Sequence, residues 1–393
     1  MKYWRGYLIA AILAALSWGL MQFAKTHSAL VDMIYPYVTR LVMSHMAQWS
    51  GGVDICVWQL VVAVAGVCAL GSIVLMILLR WNPIQWFGWV VAAVAIVFFL
   101  HTGIYGLNYY AGPLAEDVHL QMTEYTVEEL EKATVHFRDQ ANALASQVNR
   151  DDQGNVEFAE FETLAQQAGE GFHVLTYEKG FSVFAGCDLP VKKLGWADAF
   201  SSAGISGITI GITGEAAVNP NLPDVALPFT MCHEMSHRMS IASEQDANFA
   251  AFLACRVNPS VEFQYSAYLM AYRYCINSLS SDTSAAAKAA LSRITGGASQ
   301  LLKTDLDYYN AQLRAQQKPA ATKVATAAND TYLKTSGEEQ GTASYGAVTD
   351  CLVSWYIQEY ILPLYDVEVE VEFDPLDETQ VDLSGIVNAR PAQ

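Results

Sequence analysis

The chain has 393 residues, 52% of them hydrophobic and 16% charged, and 40 acidic against 22 basic residues give a formal net charge of −18. A surplus of that size repels polyanions and excludes nucleic acid as a partner. The charge is unevenly spread: residues 1–110 hold five basic and two acidic residues, the remainder 17 and 38, as expected of two units of different character.

Three apolar runs lie in the first unit: Tyr7–Ala24, Ile55–Leu79 and Ile84–Leu107, of 18, 25 and 24 residues. Crossing a bilayer takes about 20 apolar residues, so each run is read as a transmembrane helix and the bilayer as a partner. The first is read as a retained span rather than a signal peptide, being long for an h-region and lacking a clean cleavage site. Trp4, Trp81, Trp86 and Trp89 stand near span ends, where indoles favour the interface. Lys2, Arg5 and Arg80 mark the cytoplasmic side, which makes 25–54 an external loop and places everything after the third span outside the cell.

Residues 111–365 then form one domain and 366–393 an acidic tail without a fold of its own. Thr126-Val-Glu-Glu129 is a capping box that opens a helix to about Val148, with Leu130, Ala133, Phe137, Ala141 and Leu144 on one face. Asn149–Asn155 is a turn and Phe158–Ala168 a short helix. Gly204–Ile212 alternates apolar and small residues, the pattern of a strand. An edge strand there would let a peptide add alongside it through main-chain hydrogen bonds. Seven cysteines show no disulfide framework; Cys232 and Cys255 read as small buried hydrophobes.

His233-Glu234-Met235-Ser236-His237 follows. On a helix, residues i and i+4 share a face, so both imidazoles can reach one metal ion, while Glu234 sits where it can take a proton from water. Pro228 suits the first turn of that helix. Catalytic zinc commonly has three protein ligands and one open position. Ser240 and Ser243 stand where a third histidine and its glycine-bearing extension would be needed, which excludes the class with that extended motif. The next acidic residues are Glu244, Asp246 and Glu262.

Ser243-Glu-Gln-Asp-Ala-Asn248-Phe-Ala-Ala251 resembles the E-x-x-A-[DN]-x-[FA]-A element of gluzincin peptidases. The resemblance implies Glu244 as third ligand, with Asp246 or Glu262 as alternatives, and Asn248 as support for a ligating histidine. Six residues between His237 and Glu244 leave little room for the bend. Tyr345 and Tyr332, and more weakly His173, are the side chains available to stabilise an oxyanion, and Tyr345 is taken as catalytic. Farther on, Val261–Leu279 and Ser280–Thr295 are helical, Gln316–Asn329 is undecided between helix and loop, Tyr332–Gly346 must turn, and Gly346–Tyr360 is a terminal helix.

Gly106-Leu-Asn-Tyr-Tyr110, Thr213-Gly-Glu-Ala-Ala-Val-Asn219, Pro228-Phe-Thr-Met-Cys-His-Glu234, Asp246-Ala-Asn-Phe249 and Ser344-Tyr-Gly346 together resemble a bacterial family of membrane-anchored proteins of unknown function. The resemblance implies a few N-terminal spans and an extracytoplasmic zinc-peptidase domain. The expected fold is thus a three-helix α-helical membrane anchor followed by a mainly α, α+β zincin-like domain. The expected function is a Zn²⁺-dependent endopeptidase acting on peptides or proteins, with a non-catalytic membrane sensor retaining a structural metal site as the rival. A site-2 type protease is disfavoured, because the motif lies outside the apolar runs.

Overall fold

The computed structural model describes residues 2–186 and 189–364. Cys187 and the 366–393 tail lie outside the described residues. Four long helices come first: α1 (Arg5–Thr26), α2 (Ser28–Ser50), α3 (Val57–Leu78) and α4 (Pro83–Ile104). Of these, α1, α3 and α4 are long and apolar enough to cross a membrane. The α1 and α4 helices lie side by side. The Tyr7 hydroxyl donates to the Ile84 carbonyl at 2.9 Å, and a Cβ on Gly6 would lie 2.7 Å from the Trp89 nitrogen. This brings the start of α1, with Arg5, next to the α3–α4 turn that carries Arg80.

Helix α2 corrects the expected loop over 25–54. Asp32, Pro36 and Arg40 interrupt its apolar pattern, yet Val31, Thr39, Arg40, Met43 and Ala47 recur at helical spacing and are buried. Val31 packs on Ala24 of α1 and on Leu107, whereas Thr39 and Met43 meet Ser240 and Ala242 of the downstream body. The Arg40 guanidinium donates to the Ser182 carbonyl at 2.9 Å, and Ser44 Oγ donates to the Gly186 carbonyl at 3.2 Å.

The body is mostly helical. Its elements are α5 (Leu114–Asp117), α6 (Val127–Ala145), α7 (Phe161–Tyr177), α8 (Ala197–Ala203), α9 (Leu227–Arg238), α10 (Glu244–Val257), α11 (Val261–Ser281), α12 (Ala285–Gly296), α13 (Gln300–Gln316), α14 (Pro319–Ser336) and α15 (Ser344–Tyr356). The Thr126 capping box is formed: the Glu129 carboxylate accepts from the Thr126 N–H at 2.7 Å, and Thr126 Oγ1 accepts from the Glu129 N–H at 3.3 Å. The undecided 316–329 stretch is helical, as most of α14. The helix expected over 158–168 begins later and runs to Tyr177.

One apolar core joins these helices. Phe137 of α6 stacks on Trp355 of α15 at 6.0 Å, and Phe252 of α10 meets the same indole edge-on at 5.0 Å. Each such buried ring contributes about 2–3 kcal/mol. Helices α7 and α10 cross at Gly171, where a Cβ would lie 2.7 Å from the Ala254 carbonyl carbon.

A three-stranded sheet completes the body, with β1 (Lys192–Lys193) parallel to β3 (Glu215–Val218) and β2 (Gly207–Ile210) antiparallel to it, in the order β1-β3-β2. Gly207 pairs with Val218 and Ile210 with Glu215. The strand expected over 204–212 is therefore confined to its middle, and β2 forms one edge of the sheet.

The body is fastened to the apolar helices. The Glu215 carboxylate accepts the Val57 and Trp58 N–H groups at the start of α3, at 2.7 and 2.9 Å, and pairs with Lys192 at 2.7 Å. Gln59 and Gly195 exchange two hydrogen bonds, at 2.8 and 2.9 Å. A carboxylate at a helix N-terminus satisfies orphan donors and favours the macrodipole. These contacts put the beginning of α3 against the body.

Candidate metal centre

Every residue of α9 is buried, and Pro228 stands in its first turn, where its missing N–H costs no hydrogen bond. His233 and His237 lie one turn apart on it, and their Nε2 atoms face each other at 3.1 Å. The chain must then reverse before α10. It does so through Ser240, which takes the left-handed conformation with φ +73°, rare for a residue with a Cβ. Ser240 Oγ lies 2.9 Å from Thr39 Oγ1 of α2, inside the protein. Ser243 then caps α10, its Oγ accepting the Asp246 N–H at 3.5 Å. This turn is how six intervening residues suffice, and it brings Glu244 back over the two imidazoles.

Glu244 Oε2 lies 3.3 Å from His233 Nε2 and 3.6 Å from His237 Nε2. Four-coordinate zinc, with bonds of about 2.0–2.1 Å, separates neighbouring ligand atoms by about 3.3 Å. All three distances are close to that value. Among the described residues, His233, His237 and Glu244 form the group of histidine, cysteine and acidic side chains able to hold a metal ion, and each is buried. Glu244 Oε2 is a buried acceptor that no donor satisfies, which a cation would remedy. His237 Nδ1 lies 2.7 Å from the Ile241 carbonyl, an acceptor, so the proton is assigned to Nδ1 and the Nε2 lone pair points at the common centre.

The alternatives for the third ligand lie elsewhere. Glu262 accepts the Ala159 N–H at 3.0 Å, and Asp246 lines a separate cavity with Asp32 and Asp117. Burial raises the Asp246 carboxyl to about 7. Asn248 does not bond a ligating histidine: its amide reaches the Tyr345 carbonyl at 3.5 Å and its oxygen accepts from the Tyr274 hydroxyl at 3.2 Å. Its expected role passes to Ile241, a main-chain acceptor whose identity leaves no mark in sequence.

Glu234 is buried beside the group, on the side of β2. The Thr209 hydroxyl donates to Glu234 Oε2 at 2.7 Å. A Cβ on Gly207 would lie 2.7 Å from Glu234 Cδ, so only glycine leaves the carboxylate its place. Burial pushes the Glu234 carboxyl up, partly offset by the two imidazoles and Thr209. Glu244 behaves oppositely. Burial would raise it, but the two imidazoles that face it, His233 and His237, hold it far below the usual carboxylate range. For His237 without a bound ion, burial disfavours the cation, yet Glu244 and Glu234 outweigh it and raise the ring to about 9, so a metal ion there displaces the Nε2 proton and takes up that lone pair.

Tyr345 stands in the first turn of α15, its hydroxyl accepting from Asn329 Nδ2 at 3.3 Å. Burial, then the charge of Glu244, raise that hydroxyl well above its ordinary range, so it stays protonated and able to donate. Tyr332 instead lies 3.2 Å from His101 Nε2 at the end of α4. His173 is exposed on α7, its ring tilted 45° against Tyr177.

A groove of about 680 Å³ runs along β2, walled by α14, Tyr345 and the end of α4. A cavity of about 190 Å³ continues past His233, and Gly204–Ser206 and Tyr345 border both. Of the three side chains, His233 lines the smaller cavity, and the two hollows share a rim. Three neighbours escaped the sequence reading: Gly207, Thr209 and Tyr105, whose hydroxyl lies 3.3 Å from His237 Nδ1. Thr209 is the one polar side chain larger than serine in the apolar alternation of 204–212, a signal that was present. Tyr105 at a span end reads as an interfacial aromatic.

No curated protein and no solved structure matches this chain. One family model, described as a protein of unknown function (DUF3810), matches residues 31–353, and the chain belongs to that family.

Proposed function

We propose that the chain is a membrane-anchored metallopeptidase that hydrolyses peptide bonds at a centre formed by His233, His237 and Glu244. The observation that carries this reading is the convergence of three buried ligand atoms at zinc-like spacing beside a fourth group, Glu234, which Thr209 on the wall of an open groove holds by a hydrogen bond. A purely structural site would have no need of a buried carboxylate and a groove next to it.

A divalent cation held there, with Zn²⁺ the first choice for two imidazoles and a carboxylate, supplies the Lewis acidity that activates water and polarises a carbonyl. Glu234 takes the proton from the attacking water and returns it to the leaving amine. Its raised pKa suits both halves of that task, and Thr209 fixes its orientation. Tyr345 supplies a hydrogen bond to the oxygen that gains charge. The β2 edge offers main-chain donors and acceptors to an extended substrate.

The placement of the ends of the apolar helices supports an external active site. The end of α4 and the start of α3 meet the body, while Arg5 and Arg80 gather at the far ends, the arrangement that the positive-inside rule favours for a body outside the cell.

The test compares the full chain in detergent, loaded with Zn²⁺, with its Glu234→Gln variant on a mixed peptide library. The reading expects equal metal content and a loss of cleavage of about 10²–10⁴-fold. Equal metal with no cleavage by either form would leave a metal-holding sensor instead.

A further inference from the structure

We infer that the substrate is a membrane-tethered polypeptide, cut a few residues from where it leaves the bilayer. This rests on the peptidase reading and adds the class of chain it acts on.

The groove along β2 is not walled by the body alone. Val97 and His101 of α4 line one end of it, and Val97 is 58% exposed. Val97 lies seven residues before Ile104, the last residue of α4. At 1.5 Å per residue that is about 10 Å along the helix from its end. With α4 in a bilayer, this end of the groove therefore reaches the depth at which hydrocarbon begins. A chain lying in the groove meets lipid there.

The lining agrees. Ile205, Ile208, Ile210 and Ile212 face the groove with Val97, and none of the described residues that line it is Asp, Glu, Lys or Arg. Such a surface suits the apolar residues that flank a transmembrane or lipid-linked segment.

The distance is also fixed. The body does not hang from a linker: Glu215 bolts β3, and Gln59 the turn after β1, to α3, and Tyr105 at the end of α4 packs on His237. From Gly207, beside Glu234, to Gly211, where a Cβ would lie 2.9 Å from Tyr105 at the end of α4, an extended substrate needs about four residues, about 13 Å. The geometry thus acts as a ruler, placing the scissile bond some five to eight residues from the anchor.

The test uses the full chain in liposomes, loaded with Zn²⁺. The probe is a randomised ten-residue segment joined to a Leu/Ala transmembrane helix through a Gly/Ser spacer of 4 or 25 residues, with the helix placed before or after it. A helix-free copy completes the set, and Glu234→Gln sets the background. Because both spacer arms are equally concentrated at the membrane, their ratio reports reach rather than local concentration. The expected result is cleavage at least ten-fold faster in a 4-residue arm than in its 25-residue counterpart. Glu234-dependent cleavage at equal rates in both overturns the tethered class and leaves the peptidase reading standing. No Glu234-dependent cleavage in any arm overturns both.

Discussion

The Tyr105 hydroxyl lies 3.3 Å from His237 Nδ1, so the residue that ends the α4 helix touches an imidazole of the candidate metal centre. That nitrogen also has the Ile241 carbonyl at 2.7 Å, which sets the tautomer. Tyr105 is therefore a second partner rather than the only one. Outer partners of ligating histidines typically account for about 10–100-fold in metal affinity. Tyr105→Phe should weaken zinc retention by about 10-fold, the low end, in a competition with a chromophoric chelator. Unchanged affinity would reduce Tyr105 to packing.

Gly207→Ala is expected to separate metal holding from catalysis. The new methyl must displace the Glu234 carboxylate or the strand, while the three ligand atoms lie on other elements. A misplacement near 1 Å can cost about 10²-fold in rate. Zinc content should stay at the wild-type level while peptide cleavage falls by that factor. Full activity in the alanine variant would mean that Glu234 has more room than the structure gives it.

Glu215→Ala removes a buried carboxylate and leaves Lys192, 12% exposed, without its counter-charge. It also frees two N–H groups at the start of α3. Breaking a buried pair from one side costs about 3–5 kcal/mol. The expected readout is a Tm in detergent lower by several degrees, with α3 becoming more accessible to protease at its body end. An unchanged Tm would show that this anchor contributes little.

The pH dependence of stability should carry the mark of His136. Burial among the rings of Tyr356, Tyr360 and Trp355 lowers its pKa to about 4, with Arg256 adding to the effect and Asp139 opposing it. The unfolded chain protonates it near 6.5, the folded chain only near 4. Its contribution is therefore intact above pH 6.5 and is lost as pH falls from 6.5 towards 4. His136→Phe should flatten the fall in Tm between pH 7 and 5; a slope as steep as wild type would assign that loss to other groups.

Local patterns read correctly where one signal dominated. The apolar runs mark α1, α3 and α4, the Thr126 box marks α6, and the spacing of His233 and His237 marks two of the three side chains of the group that could hold a metal ion. Glu244 emerges over Asp246 and Glu262 because Ser240 adopts a left-handed turn, and a serine gives no warning of that. The α2 helix is hidden by Pro36 and by Arg40, whose charge turns inward to the Ser182 carbonyl, a tertiary fact. Asn248 was assigned by likeness to a motif, whereas the structure fills that role with a main-chain carbonyl. The nearness of α4 to the groove has no trace in local sequence, since it depends on residues more than 100 positions apart.

The central claim is that His233, His237 and Glu244 hold one metal ion together. The most direct measurement is the zinc content, by mass spectrometry, of the full chain after loading and desalting, alongside His233→Ala, His237→Ala and Glu244→Ala. The account predicts about one ion per wild-type chain and a fall to background in all three variants, each still folded by circular dichroism. A wild-type chain that retains no zinc, or a Glu244→Ala chain that retains as much as wild type, would contradict it.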